Sequence, residues 1–192
     1  MTILILGLLL FLGVHSTRIV ADDWRTAQLK RLGEGAWKGI YSLLSLAGFG
    51  LILWGFGLAR QQPELLWIVP AGMRHVAALL TLIAFVLLAA AYVPRNAIRA
   101  SMHHPMVLAV KTWAFAHLLA NGKLADLLLF GAFLAWAVVC FIALRKRDRA
   151  AGTQYPAGTA GGTAATVVAG VVAWAAFTFW LHVALIGVRP FA

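Results

Sequence analysis

Six apolar runs in this chain are long enough, or nearly so, to cross a membrane as helices. A spanning helix needs about 20 largely apolar residues, each adding about 1.5 Å of length. The runs cover residues 2–20, 37–59, 73–92, 105–120, 124–144 and 166–188. The sequence therefore predicts an all-α integral membrane protein, a single domain over residues 1–192 built as a bundle of about six transmembrane helices.

The composition agrees with a membrane protein and excludes several other classes. Of the residues, 62% are hydrophobic and only 11% are charged, whereas about a quarter are charged in a typical soluble domain. The net charge of +10 does not indicate nucleic-acid binding, because the basic residues lie in short loops between apolar runs. The single cysteine, Cys140, excludes an internal disulfide and a cysteine-based metal site. Membrane lipid is the predicted partner.

The distribution of lysine and arginine predicts an orientation. The loops after the odd-numbered runs hold eleven basic residues and the other side holds four, so the odd loops are predicted to be cytoplasmic and both termini to lie outside. The eleven are Arg18, Arg25, Lys30, Arg31, Lys38, Arg95, Arg99, Arg145, Lys146, Arg147 and Arg149, and the four are Arg60, Arg74, Lys123 and Arg189. A cytoplasmic linker is predicted at about residues 145–165, with a flexible spacer of no chemistry from residue 150. The small residues Ser42, Ser45 and Gly48 predict close helix packing.

Six histidines lie in or at the edges of the predicted spans. They are His15, His75, His103, His104, His117 and His182. Ionisable groups inside a bilayer are costly and usually face the bundle interior, so the set favours a cofactor or proton-handling core. The few acidic residues disfavour a paired-carboxylate mechanism and a carboxylate-rich metal site. Imidazoles in an aromatic-rich setting suit haem iron, zinc or copper.

The fourth run is the most informative. His117 shares a helical stripe with Trp113, Val110 and Met106, which would place a flat apolar wall beside a potential ligand. Lys111 lies at mid-span, where an ammonium needs a partner or a wet cavity, such as a haem propionate or an anionic substrate group.

Three further histidines have a predicted environment. His15 lies one turn from Arg18, and a ligand followed by a cation near the membrane edge suits haem with its propionates towards the cytoplasm. An ordinary anchoring role for Arg18 fits equally well. His182 is predicted to face inward, and His75 to have an interfacial hydrogen-bonding role.

Several stretches carry a family resemblance. The most specific is residues 103–122, which includes His-His-Pro-Met and then Lys-Thr-Trp-Ala-Phe-Ala-His-Leu-Leu-Ala-Asn-Gly. Weaker pieces are residues 13–16, 45–52 and 181–190. Together they resemble the NnrU family over nearly the whole chain.

The resemblance implies a multi-pass protein of the bacterial inner (cytoplasmic) membrane, associated with nitrite and nitric oxide reduction. Its partner would be a reductase or an electron-transfer protein. The family is also similar to plant zeta-carotene isomerase, a haem b protein whose axial histidines map onto His15 and His117. This chain has Ala114 where the isomerase has a cysteine, and His103 where it has an arginine. Haem b binding is therefore the expectation that transfers more safely than isomerase activity.

Alternatives remain at this point for the ligand pair and for the role. At about 1.5 Å per residue, His15 would lie about 8 Å deep and His117 about 18 Å deep, so the level pairs would be His15 with His104, or His117 with His182. Helix tilt is the other way to bring His15 and His117 level. The alternative roles are haem-dependent isomerisation of a polyene or isoprenoid, a non-enzymatic assembly factor for a reductase, and a bundle whose histidines only hydrogen-bond.

Overall fold

The computed structural model describes residues 1–191, and within them the chain is helical with no strand. The helices are α1 (Thr2–Val20), α2 (Asp22–Leu32), α3 (Glu34–Ala59), α4 (Met73–Tyr92), α5 (Ala97–Met102), α6 (Pro105–Ala120), α7 (Leu124–Ala151), α8 (Ala160–Ala176) and α9 (His182–Ile186). One π-helical turn, Phe177–Leu181, joins α8 to α9.

Five helical segments of the described chain are long and apolar enough to cross a membrane: α1, α3, α4, α7 and the continuous stretch Ala160–Ile186. The prediction of a multi-pass, all-α membrane protein is confirmed at this level. The sixth predicted span, α6, has the predicted bounds but only 16 residues. At about 1.5 Å per residue, its length is about 24 Å.

The predicted ends of the helices differ from the observed ones at α3, α7 and α8. Helix α3 begins three residues early, at Glu34, where the side chains of Glu34 and Lys38 pair at 2.7 Å across one turn. Helix α7 continues through the basic run to Ala151, because lysine and arginine are good helix formers once the helix leaves the apolar region. Helix α8 begins at Ala160, capped by the Thr159 hydroxyl, which accepts from Gly162 N at 3.0 Å. The non-helical connection is therefore only residues 152–159.

The chain divides into two compact units. Unit 1 consists of Met1–Trp67 and Gly122–Trp136, and so contains α1 to α3 and the first half of α7. Unit 2 consists of Ile68–Asn121 and the residues from Ala137 onward, and so contains α4 to α6, the second half of α7, α8 and α9.

In unit 1, helices α1 and α3 pack at backbone-to-backbone distance. A Cβ atom added at Gly48 would lie 2.8 Å from the amide nitrogen of Phe11, and one at Gly7 would lie 2.6 Å from that of Ile52. Gly55 meets the backbone of Leu4 in the same way. The predicted close packing is thus correct at Gly48, whereas Ser42, predicted on the same side, is exposed. Small residues allow this approach in a membrane protein, where burial of apolar surface does not drive helices together.

In unit 2, a short elbow joins α4 to α6. We define the elbow as residues 93–104, which include α5. Asn96 is 2% exposed; its side-chain amide donates to the carbonyls of Ala90 (3.0 Å) and Val93 (2.5 Å), and its carbonyl accepts from Arg99 N at 2.7 Å. One side chain therefore ends α4 and caps α5.

The connection between α7 and α8 lies against this elbow. We call residues 152–159 the strap. Thr159 N donates to the carbonyl of Arg95 at 2.7 Å, and Gly158 packs directly on the backbone of Asn96 and Ala97, with no room for a Cβ atom. Part of the predicted spacer is helical, since α7 extends to Ala151 and α8 begins at Ala160, and Gly158 and Thr159 contact the backbone of the elbow.

Gly48 and Gly50 provide a matched test of the α1–α3 packing. Gly48→Ala is expected to lower the free energy of unfolding by about 1 to 3 kcal/mol, because the added methyl group meets the Phe11 backbone. Gly50→Ala adds the same methyl group where nothing lies within 4 Å. Thermal unfolding in detergent micelles measures both, and equal melting temperatures for the two variants would contradict the packing described.

Candidate functional site

In unit 1, His15 lies among aromatic rings. Its ring stacks on Phe11 with a centroid distance of 4.2 Å, and the rings of Tyr41 and Trp136 lie at 5.3 Å and 6.2 Å. Its Nδ1 atom is 2.7 Å from the carbonyl oxygen of Phe11, one turn back on α1. Two buried polar atoms without a hydrogen-bond partner belong to the same unit, Trp136 Nε1 and Ser45 Oγ. Ser45 shares a face of α3 with Tyr41, four residues away.

In unit 2, His117 and Trp113 are in contact, as their spacing predicts. The ring centroids are 5.1 Å apart, and His117 Nδ1 is 2.9 Å from the Trp113 carbonyl oxygen. Ala114, between them in sequence, is fully buried, whereas Met106 at the far end of the predicted stripe is 42% exposed. The predicted stripe thus places Trp113 against His117 but leaves Met106 at the surface.

His182, one of the two alternative predicted ligands in unit 2, follows the π-helical turn. Its Nδ1 atom is 2.7 Å from the carbonyl oxygen of Val188, and its ring meets Phe177 edge-on at 5.9 Å. A π-helical turn adds one residue to the helical repeat and is frequent at functional sites, and here it sets the direction of His182.

The same chemistry holds at His15, His117 and His182. A carbonyl oxygen only accepts hydrogen bonds, so each Nδ1 atom carries the proton and donates it. In a neutral imidazole the lone pair is then on Nε2. Metal-binding histidines characteristically donate their other ring N–H to a carbonyl or carboxylate in this way. Coordination by any of these three rings would use Nε2.

The remaining predicted residues have more ordinary surroundings. Arg18 is 59% exposed and lies 3.9 Å from Asp22, a geometry that fits an interfacial anchor. Lys111 is half-buried on α6, and His75 is exposed in the first turn of α4. Among residues 1–191, no group of three or more histidine, cysteine, aspartate or glutamate side chains is arranged to hold a metal ion. A haem site does not require such a group, because haem iron takes only its axial ligands from the protein.

His104 takes part in a second cluster that was not predicted from the sequence. Its Nε2 atom is 2.7 Å from Asp148 Oδ2, and the Tyr155 hydroxyl donates to the same oxygen at 2.8 Å. The three residues come from the elbow, the end of α7 and the strap. No spacing rule connects residues 44 and 51 positions apart. In the sequence, the only sign of this cluster was Tyr155, an aromatic residue within a glycine-rich segment.

His103, beside this cluster, has a strained backbone. Its φ and ψ angles are 65° and −52°, and the His104 amide donates to the Met102 carbonyl at 2.8 Å. This is a classic γ-turn, a rare and strained conformation. The His103 ring stacks on Tyr155 at 4.3 Å, and its buried Nδ1 atom has no hydrogen-bond partner. Strain in a residue other than glycine persists only where its surroundings hold it.

Tyr155 lies outside the membrane-spanning helices, and its pKa reflects its place in the cluster. Burial, followed by the hydrogen bond to Asp148 and its negative charge, raises the pKa of the Tyr155 hydroxyl. Tyr155 is therefore a neutral donor to the Asp148 side chain.

Comparison with known proteins identifies the family. A family model described as NnrU protein matches residues 3–190, which is nearly the whole chain. The chain belongs to the NnrU family. The resemblance seen in residues 103–122 is thereby confirmed. No curated protein and no solved structure matches the NnrU chain described here.

The raised pKa of Tyr155 gives a test of the cluster. In an ultraviolet titration at alkaline pH, Tyr155 should ionise above the ordinary tyrosine range, because its phenolate would be buried beside a carboxylate. Since the folded-state pKa is the higher one, the stabilisation from Tyr155 is present below the unfolded-state pKa and is lost as the pH rises through the folded-state value. Tyr155→Phe should remove the late-ionising component. A late component that survives in Tyr155→Phe would contradict the assignment.

Proposed function

We propose that this NnrU protein is a haem b protein of the bacterial inner membrane that supports nitrite and nitric oxide reduction. The observation that carries the proposal is the arrangement of three histidines in apolar helices, each with Nδ1 bonded to a backbone carbonyl, which puts the lone pair of the neutral imidazole on Nε2, the atom that would bind iron. Family membership supports the metabolic setting. A bound haem b would supply one-electron redox chemistry.

The residues of unit 1 fit such a group around His15. The Phe11, Tyr41 and Trp136 rings provide an aromatic lining around His15, and the Phe11 carbonyl fixes the orientation of the imidazole. The indole N–H of Trp136 is buried with no acceptor. A buried donor without an acceptor costs about 1 to 3 kcal/mol, which an acceptor group on a bound cofactor would recover.

The residues of unit 2 fit a ligand role for His117. The ring is held by the Trp113 carbonyl, and the indole of Trp113 lies against it. The resemblance maps the two ligands onto His15 and His117, and we keep this assignment in the proposal. Within unit 2, His182 is the alternative partner for His117, because its Nδ1 also bonds a backbone carbonyl.

The residues of the chain would orient the ligand imidazoles, shield them from water and tune their basicity. The backbone carbonyls hold the imidazole planes and increase the basicity of Nε2, as the acceptors hydrogen-bonded to metal-binding histidines do. The apolar helices exclude water from the ligands, which favours a low-dielectric redox site. Ala114 leaves no thiol one turn before His117, so ligand exchange with a cysteine at that position is not available to this chain.

Optical and EPR spectra of the purified protein test the proposal directly. Expression with adequate haem should give a Soret band and a low-spin ferric signal from two imidazole ligands. His15→Ala and His117→Ala should each lower the haem content by at least about ten-fold, because loss of only the hydrogen-bond partner of a metal ligand already costs about that much. His75→Ala is the matched control, because it removes an exposed histidine and should leave the spectrum unchanged.

Each outcome has a distinct reading. Absence of a Soret band in the wild-type protein would refute haem binding, and co-purification with a reductase without stoichiometric haem would favour the assembly-factor role. A full spectrum in His15→Ala with loss in His117→Ala and His182→Ala would move the second ligand to His182. Equal effects of His15→Ala and His75→Ala, without that loss, would contradict the ligand assignment.

A further inference from the structure

We propose that unit 2 carries a binding site for the phosphate of an anionic phospholipid, formed by basic residues of the elbow and of the end of α7. We call these residues the basic rim; they are Arg95, Arg99, Arg145, Lys146, Arg147 and Arg149. The ligand is a membrane lipid whose headgroup bears a net negative charge. The proposal does not rest on haem binding and uses none of the histidines assigned to it.

The first argument is the excess of positive charge at this end of unit 2. Residues 93–104 and 145–159 contain the six cations of the basic rim and one carboxylate, that of Asp148. Its Oδ2 atom already accepts from His104 and Tyr155. Among residues 1–191, the ion pairs include none of four rim cations, Arg95, Arg99, Arg145 and Arg149. Neighbouring like charges repel one another, so the basic rim fits an anionic partner.

The second argument is that cations from two separate helices converge. Arg99 belongs to α5 and Arg145 to α7, yet the positive charges of both act on the Tyr155 hydroxyl, where they oppose the rise in its pKa. Both guanidinium groups therefore lie near one point of the strap, although they are far apart in the sequence. A phosphate between them would accept from both, and the forked N–H groups of arginine match phosphate oxygens.

The third argument is the level of the basic rim relative to the apolar helices. Arg99 Nη1 donates to the Ala91 carbonyl, in the last turn of α4, at 3.3 Å. The neighbouring Tyr92 is 70% exposed, and an aromatic ring at the end of a spanning helix is typical of the lipid headgroup region. Arg145 directly follows Leu144, the last residue of the apolar run in α7. Both cations thus lie at the level of lipid phosphates.

The fourth argument is an apolar surface beside the cations. On α7, Val138 and Ile142 are exposed one turn apart, and exposed Lys146 and Arg149 continue the same face. This face changes from apolar to basic along its length, as a lipid changes from acyl chain to phosphate. A soluble acidic protein would meet the cations but leave the apolar side chains uncovered. The observations therefore favour a lipid.

Native mass spectrometry of the full chain in detergent micelles tests the proposal, because it counts the lipids bound to each protein. The probes are dioleoyl phosphatidylglycerol and dioleoyl phosphatidylcholine, which have the same acyl chains and differ in net charge. The first phosphatidylglycerol should bind about 25-fold more tightly than the first phosphatidylcholine, because each of two cations close to an anionic lipid contributes about five-fold.

Variants distinguish a localised site from general surface charge. Arg99→Gln and Arg145→Gln should each lower the affinity for phosphatidylglycerol about five-fold, and the double variant about 25-fold. The matched control, Arg74→Gln with Arg189→Gln, removes two exposed arginines of unit 2. Arg74 lies at the opposite end of α4, a helix of 20 residues and about 30 Å. Charges that far apart are screened at ordinary salt, so the control should bind like the wild type.

Soluble anions give a further arm of the experiment. Inorganic phosphate in large excess should not displace phosphatidylglycerol, because it has no acyl chains to cover Val138 and Ile142. Displacement by inorganic phosphate would assign the site to a soluble phosphate and overturn the lipid proposal. Binding of a polyglutamate peptide with no preference between the two lipids would instead assign the basic rim to an acidic protein.

The proposal fails on either of two further results. One is equal binding of phosphatidylglycerol and phosphatidylcholine by the wild-type protein, a comparison that needs no variant. The other is an equal loss of affinity in the control double variant and in Arg99→Gln with Arg145→Gln, since the preference would then reflect only the total charge of the chain.

Discussion

Scarcity of water inside an apolar bundle is the constraint on which the arrangement of polar side chains depends. Backbone groups there must be satisfied within helices, and a polar side chain has few partners except the carbonyl about one turn back. Ser16 donates to Leu12, Thr166 to Gly162, and His117 to Trp113. A hydrogen bond of this kind from a hydroxyl only satisfies the hydroxyl. The same bond from a histidine Nδ1 fixes the tautomer of the ring and leaves the lone pair on Nε2.

The two units differ in what organises them: close backbone packing in unit 1 and polar side-chain clusters in unit 2. In unit 1, glycines bring α1 and α3 together, and the space beside them holds His15 among aromatic rings with the unpaired Trp136 N–H. In unit 2, Asn96 closes the end of α4, and the elbow and strap surround the cluster of His104, Asp148 and Tyr155. The first arrangement suits an apolar cofactor.

Much of the fold was predictable because its signals are local. Apolar length predicted the bounds of α1 and α4 to the residue, and Pro105 and the turn signal after Ala120 predicted those of α6. The four-residue spacing of Trp113 and His117 predicted their contact. The strap was not predictable. Its glycines resemble those of a spacer, whereas Gly158 is small because a backbone lies against it, and such a contact has no sequence pattern. The partnership of His104 with Asp148 and Tyr155 is equally non-local.

Carbonyl partners set His15, His117 and His182 in the tautomer that Nε2 coordination of a metal needs. Nitrogen NMR of the haem-free protein with labelled histidine measures the tautomer, with signals assigned by substitution of the three histidines in turn. We expect protonated Nδ1 and unprotonated Nε2 at all three, and on the haem proposal the Nε2 signals of the ligands should shift when haem is added. Protonated Nε2 at His15 and His117 in the haem-free protein would contradict it.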